Sequence, residues 1–174
     1  MKTSSPRLVF LGMAIFSTGL IATALYMQEV LGLHPCPLCI TQRIFVIVVG
    51  VLAFLACLHN PGKTGIRVYA FLCALAALLG AGVAARHVWI QNLPEDQVPA
   101  CGPGLQYMFE HFPFMKALEL LFMGDGNCAD VVWQFMGLSI PAWTLLAFVC
   151  FVIAGVWLFL RAPLFKGSSD KQAS

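Results

Sequence analysis

The stretch LVFLGMAIFSTGLIATALYM, Leu8 to Met27, runs without a single charge. As a helix rising 1.5 Å per residue it covers roughly 30 Å, the thickness of a bilayer's hydrocarbon core. Three more runs share this character: Pro37 to Leu58, Val68 to about Ile90 with Val68–Ala85 uncharged, and Pro141 to Leu160. Over all 174 residues, 60% are hydrophobic and 10% charged, and the mean hydropathy is +0.85, far outside the usage of water-soluble domains. The chain reads as all-α: one integral membrane domain over residues 1–174, built as a four-helix transmembrane bundle. Its spans are 8–27, 37–58, 68–90 and 141–160, its loops 28–36 and 91–140, and residues 166–174 form a disordered polar tail. Lys2 and Arg7 ahead of the first run and Ala22-Thr23-Ala24 at its end outline a signal peptide. An h-region of about 7–15 residues is shorter than this run, so it reads as a retained span.

Lys and Arg near the ends of spans stay in the cytoplasm. Lys2, Arg7, Lys63, Arg67, Arg161, Lys166 and Lys171, most of the basic residues, fall on one side. Glu29, Glu95, Asp96, Glu110, Glu119, Asp125 and Asp130 fall on the other with Lys116, while Arg43 and Arg86 lie near helix ends. Both termini are therefore expected in the cytoplasm and both polar loops outside, which in a bacterium is the periplasm. A net charge of +2 argues for no nucleic-acid partner.

Four of the cysteines then face that exported side. Cys36 and Cys39 stand in a CPLC quartet at the start of span two, and Cys101 and Cys128 lie much further apart in the long loop. A disulfide across the quartet closes too small a ring to stabilise much, so the first pair points to redox exchange in a compartment where disulfides persist. The second pair serves either exchange or stapling. Cys57, Cys73 and Cys150 lie inside spans and read as small apolar packing residues.

Pro35 and Pro37 fix the entry into span two and place the thiols at a helix N-terminus, whose free amide N–H groups favour the thiolate, the nucleophile of disulfide exchange. Arg43, at i+4 from Cys39, shares its helical face one turn deeper. A guanidinium at that depth marks either a functional site or a side chain reaching back to the headgroups. His87 and Gln91, at i and i+4, close span three on the same side and either meet headgroup water or face inward to hydrogen-bond a carbonyl ligand. His34 and His87 would complete a zinc set with the quartet, but no second pair follows at ligand spacing, and no metal is expected. In the long loop, Phe114 to Met123 is too short to span and carries Lys116 and Glu119 as a polar stripe, which predicts an interfacial helix. Gly102-Pro103-Gly104 and Gly124-Asp125-Gly126-Asn127 flank it as hinges.

Pro35 to Arg43 opening the second span, His87 and Gln91 closing the third, Gly126-Asn127-Cys128-Ala129-Asp130, and Trp133 to Leu138 before Pro141 together resemble the disulfide-bond formation protein B (DsbB) family of bacterial inner membranes. The resemblance covers nearly the whole chain below the first span. It implies a protein dithiol:quinone oxidoreductase that reoxidises a periplasmic thioredoxin-fold oxidant of the DsbA type. It further implies that Cys101 forms the mixed disulfide with that partner, that Cys128 pairs with Cys101 at rest, and that electrons reach Cys36 and Cys39 through a transient Cys36–Cys128 bridge. Cys39 would face the quinone, ubiquinone or menaquinone, beside Arg43, with His87 and Gln91 completing the quinone site. Because DsbA sits near about −120 mV, the electrons need a better acceptor, which a membrane quinone is. Residues between the paired thiols vary in such proteins, and Pro37 stands there in this chain. Two other classes compete. A vitamin K epoxide reductase-like enzyme would show a fifth span or a fused thioredoxin domain, and a non-enzymatic scaffold of the tetraspanin kind would carry Cys-Cys-Gly in its large loop.

Overall fold

The computed structural model of the chain describes residues 5–33, 35–94, 129 and 133–164. Four long helices make up nearly all of it: α1 (Pro6–Val30), α2 (Pro37–His59), α3 (Lys63–Gln91) and α4 (Ile140–Arg161), the last followed by a single 3-10 turn, Ala162–Leu164. Each is long and apolar enough to cross a membrane, with mean hydropathies of 2.1, 2.4, 2.2 and 2.4 in its most apolar stretch. The helices outrun the uncharged stretches that mark them in the sequence. α1 continues through Gln28 to Val30, and α3 begins at Lys63, ahead of Val68, because a helix end in the headgroup region tolerates polar and charged side chains that the hydrocarbon does not.

Proline sets three of the four starts: it occupies the first turn of α1, α2 and α4, where its missing N–H is no loss and its fixed φ suits the helix. α2 stops at Asn60, which takes the left-handed conformation (φ 44°, ψ 56°). Its N–H returns to the Ala56 carbonyl at 3.2 Å. Pro61 and Gly62 then reverse the chain into α3. The Cys36 end of α2, the Gln91 end of α3 and the Ser139 end of α4 consequently gather at one end of the bundle.

Packing runs in sequence order, α1 on α2, α2 on α3, and most extensively α3 on α4. Between lipid-solvated helices there is little hydrophobic drive to associate, so close fit has to supply the energy. Gly80 lets the ring of Phe148 lie directly on α3, and Gly155 brings α4 against the Ala70 carbonyl and Ala74. Ser17 of α1 donates its hydroxyl to the Val46 carbonyl of α2 at 2.5 Å, beside Gly50. Phe10, Val49, Ala53, Cys73, Ala77, Phe148, Phe151 and Leu158 fill the interior, while Leu8, Ile15, Phe54, Leu58, Leu78, Ile153 and Leu160 point outward where lipid would lie. Cys57 and Cys73 are buried as apolar fillers; Cys150 is on the outer surface.

One element is absent from the sequence reading. Gln134–Phe135 (β1) and Leu138–Ser139 (β2) pair antiparallel, Gln134 opposite Ser139 and Phe135 opposite Leu138, within what reads from sequence as a loop. Met136 (φ 53°) and Gly137 (φ 80°) form the connecting turn, both left-handed as the twist of a tight hairpin demands. The hairpin leads straight into α4 and is fastened to it: Trp143 donates its indole N–H to the Phe135 carbonyl at 3.2 Å, and Phe135 stacks on Trp133. The interfacial helix inferred over Phe114 to Met123, both long-loop cysteines, His34 and the tail 166–174 lie outside the described residues.

Candidate functional site

At the gathered end of the bundle, Cys36 is the N-cap of α2. Its Sγ accepts the Cys39 backbone N–H at 3.4 Å, and the two Sγ atoms stand 3.0 Å apart. A disulfide bond is about 2.05 Å long, so closing the pair asks for roughly 1 Å of side-chain movement. Both cysteines are half-buried.

α3 brings His87 to this pair. It is 2% exposed, its Nε2 lies 3.7 Å from Cys36 Sγ, and its Nδ1 lies 3.0 Å from Gln42 Nε2 of α2. An amide that donates to Nδ1 leaves the ring proton on Nε2, directed at sulfur; turned over, the same amide would accept from Nδ1–H and free Nε2 as a lone pair. Gln42 is itself 3% exposed, so the two buried polar groups satisfy each other.

Arg43 looks the other way, toward α1. Its Nη1 donates to Gln28 Oε1 at 2.6 Å and its Nη2 to the Ala24 carbonyl at 3.2 Å. Held there, it lines with Cys39, Gln42, Met27, Pro35 and Thr144 a cavity of about 90 Å³. That cavity shares Ala24, Met27, Ile140 and Thr144 with a wholly different neighbour, a space of about 310 Å³ between α1, α4 and the hairpin, walled by Trp133, Phe135 and Trp143 and almost entirely apolar. A small cavity with a thiol and a guanidinium thus adjoins a larger apolar one.

Of the residues singled out in the sequence, the fold assembles Cys36, Cys39 and His87 in one cluster and Cys39 and Arg43 in one cavity. Gln91 stands apart from both: its Oε1 accepts the Ser139 hydroxyl at 2.7 Å, tying α3 to the start of α4, and neither it nor His87 is among the residues lining the Arg43 cavity. Cys101 and Cys128 lie outside the described residues; Ala129, next after Cys128, packs against the Leu38, Val83 and Ile90 cluster that Cys36 also joins. Gln42 and Gln28 escape the sequence reading. Gln42 carries a signal, being an amide on an apolar span beside an arginine, where an unpartnered polar group is costly. Gln28 carries none, since it sits where polar residues are ordinary.

Comparison with known proteins bears on what this end of the bundle is for. Residues 6–158 match the family model described as disulfide bond formation protein DsbB. A disulfide bond formation protein B of Saccharophagus degradans is 66% identical over 143 residues, covering 82% of this chain and 86% of its own length. The protein of the same name from Hahella chejuensis is 51% identical over 145 residues, 83% and 88% of the two chains, and that of Nitrosococcus oceani 48% over 157, 90% and 92%. With the match running through all four helices and the cysteine pair, this chain belongs to the DsbB family of disulfide bond formation proteins, a multi-pass membrane protein with an oxidoreductase role.

Proposed function

We propose that the chain is a protein dithiol:quinone oxidoreductase of the bacterial inner membrane, with its cysteine-bearing end in the periplasm. It withdraws two electrons from a DsbA-like thioredoxin-fold partner and delivers them to the membrane quinone pool. The single observation that carries this reading is the cavity shared by Cys39 and Arg43, which adjoins the apolar space beside α1 and α4.

The residues present fit a quinone. By itself the inner cavity, about 90 Å³, is tighter than a six-membered ring requires, since roughly 150 Å³ holds benzene. The adjoining space of about 310 Å³ supplies the rest and offers apolar walls for a tail. Bound there, a quinone supplies a sink for two electrons and two protons. Cys39 presents its sulfur to the cavity, and Arg43 presents a fixed cation and N–H donors to a carbonyl oxygen that gains electron density. His87 stands at the other thiol, Cys36, where its Nε2 is placed to exchange a proton with sulfur as the pair closes. Gln91, bonded to Ser139, supports the site by holding the end of α3 against α4.

In this scheme Cys101 exchanges with the partner and Cys128 with Cys101. The Cys128 thiolate so released then attacks Cys36 of the Cys36–Cys39 disulfide, forming the Cys36–Cys128 bridge and freeing Cys39. When Cys101 retakes Cys128, Cys36 and Cys39 are left as the dithiol whose two electrons a bound quinone would take. Each exchange breaks one S–S bond and forms another, so two electrons move per cycle. The packing of Ala129 on the cluster that Cys36 joins supports a Cys36–Cys128 step. An interfacial helix over Phe114 to Met123 would keep Cys101 and Cys128 at the membrane surface between exchanges. Purified protein given a reduced periplasmic dithiol protein and added quinone should form one quinol per partner disulfide. Partner oxidation that continues unchanged without quinone, or no quinol at all, sinks the reading.

A further inference from the structure

The Cys36, Cys39 and His87 cluster has the makings of a second kind of site. Their Sγ, Sγ and imidazole nitrogen atoms all lie within 4.8 Å of one another, with His87 buried and the cysteines half-buried. We propose that the reduced pair and His87 bind a borderline-soft divalent cation of the zinc class, and that this holds the dithiol out of turnover. Binding itself stands on the geometry alone; only its consequence, arrest, rests on the proposed function.

With metal–sulfur bonds of about 2.3 Å and a metal–nitrogen bond of about 2.05 Å, a tetrahedral ion spaces two sulfurs about 3.8 Å apart and sulfur and nitrogen about 3.6 Å apart. Cys36 Sγ and His87 Nε2 are already at 3.7 Å, and the sulfurs, at 3.0 Å, need only a small opening. The ligand types, two thiolates and one imidazole, suit zinc. His87 also has the partner that metal-bound histidines characteristically have: a side chain on its other nitrogen, here Gln42 at 3.0 Å, which turned over accepts Nδ1–H and leaves the Nε2 lone pair for the metal. Binding releases the two thiol protons, forms two metal–sulfur bonds and one metal–nitrogen bond, and changes no oxidation state. The resulting unit of a dication and two thiolates is neutral, which suits a half-buried place. Of the three ligands, Cys39 also lines the cavity that holds Arg43. Spacing alone gives no reason to expect a metal with His87, because this third ligand comes from another helix, far along the chain from Cys39, and the geometry reverses that expectation.

The test uses the full chain in lipid nanodiscs with Cys101→Ser and Cys128→Ser, so that no loop thiol competes, fully reduced and titrated with Co²⁺ and then Zn²⁺. The expected result is one Co²⁺ per chain with a thiolate charge-transfer band and tetrahedral d–d absorption, displaced by Zn²⁺. Cys36→Ser in that background should abolish the charge-transfer band or shift it to a single-thiolate spectrum with at least about tenfold weaker binding. Gln42→Leu, which keeps all three ligands, should weaken binding about 10-fold to 100-fold. His87→Asn and His87→Leu, each checked for helicity, should alter the d–d bands. No cobalt spectrum in the reduced parent, or one unchanged in Cys36→Ser or in a folded His87 variant, overturns the site. In the chain with all its cysteines, Zn²⁺ should stop partner-driven quinone reduction until a chelator is added. Binding without arrest overturns the consequence alone, and a metal-free chain that never reduces quinone overturns the proposed function while leaving the metal site standing.

Discussion

Replacing Arg43 with Met asks whether a fixed cation beside Cys39 serves the electron acceptor. A guanidinium carries five N–H donors. One goes to Gln28 Oε1 at 2.6 Å and one to the Ala24 carbonyl at 3.2 Å, so α1 holds the group while the Arg43 side chain also lines the cavity. Such a held donor differs from one that must be organised during the reaction, and removing a comparable donor from an oxyanion site costs about 2.7–4 kcal/mol. Because Arg43 is half-buried rather than sealed, the low end applies: about a 100-fold fall in kcat/KM for quinone. Arg43→Lys keeps the charge but cannot hold both α1 acceptors and the ligand, and should lose about tenfold, or about 1.4 kcal/mol. Gln28→Leu removes the shorter tether and leaves the cation, so its loss should stay below that of Arg43→Lys. The assay is steady-state quinone reduction across a quinone titration, with the rate of the partner's exchange at Cys101 followed separately and expected to be unchanged. Melting curves belong beside it, since each lost bond to the guanidinium also removes about 1.5–3 kcal/mol of tertiary interaction. Arg43→Met with wild-type quinone kinetics refutes the role. So does Gln28→Leu falling as far as Arg43→Met, which would make the placement of α1, not the charge, the cause.

The helical architecture is legible because the bilayer imposes one rule that composition reports directly: about 20 apolar residues per crossing, with basic residues between. Leu8 to Met27 needs no other information, and the CPLC quartet is visible because two thiols at that spacing serve few purposes. What escapes is whatever depends on which faces meet. Periodicity puts Arg43 on Cys39's face, but its partners, Gln28 and the Ala24 carbonyl, belong to another helix and follow from no spacing. His87 falls at the expected end of α3, yet its contacts with Cys36 and Gln42 depend on the rotation of α3 against α2, which no spacing within one helix reports. Gln91, equally suggestive at i+4, turns instead to Ser139. The 134–139 hairpin is masked by its shortness: such short strands give no run of alternation, and Met136-Gly137 is a weaker turn signature than Asn-Gly.

Two further variants separate packing from chemistry. In Gly80→Ala the new Cβ would overlap the Phe148 ring, which is fully buried and has to shift by about 1 Å to regain ordinary contact. The bundle should lose about 1–3 kcal/mol by thermal unfolding, recovered in part by adding Phe148→Leu; an unchanged melting point would mean that α3 and α4 do not meet through this glycine. Cys128→Ser decides what the long-loop pair is for. If the pair is redox-active, Cys101 meets the partner with no neighbouring thiol to release it, and a mixed disulfide should persist on a non-reducing gel. The bundle should keep its melting temperature, because among the described residues its main buried cluster is built from α1 to α4 and the turn after α4. If the pair is a staple, opening the loop between Cys101 and Cys128 should instead remove about 3–4 kcal/mol of stability and trap no partner. The trapped partner is the deciding readout, since a bond that is closed at rest constrains the unfolded chain whether or not it also opens in turnover, whereas only a redox-active pair holds the partner.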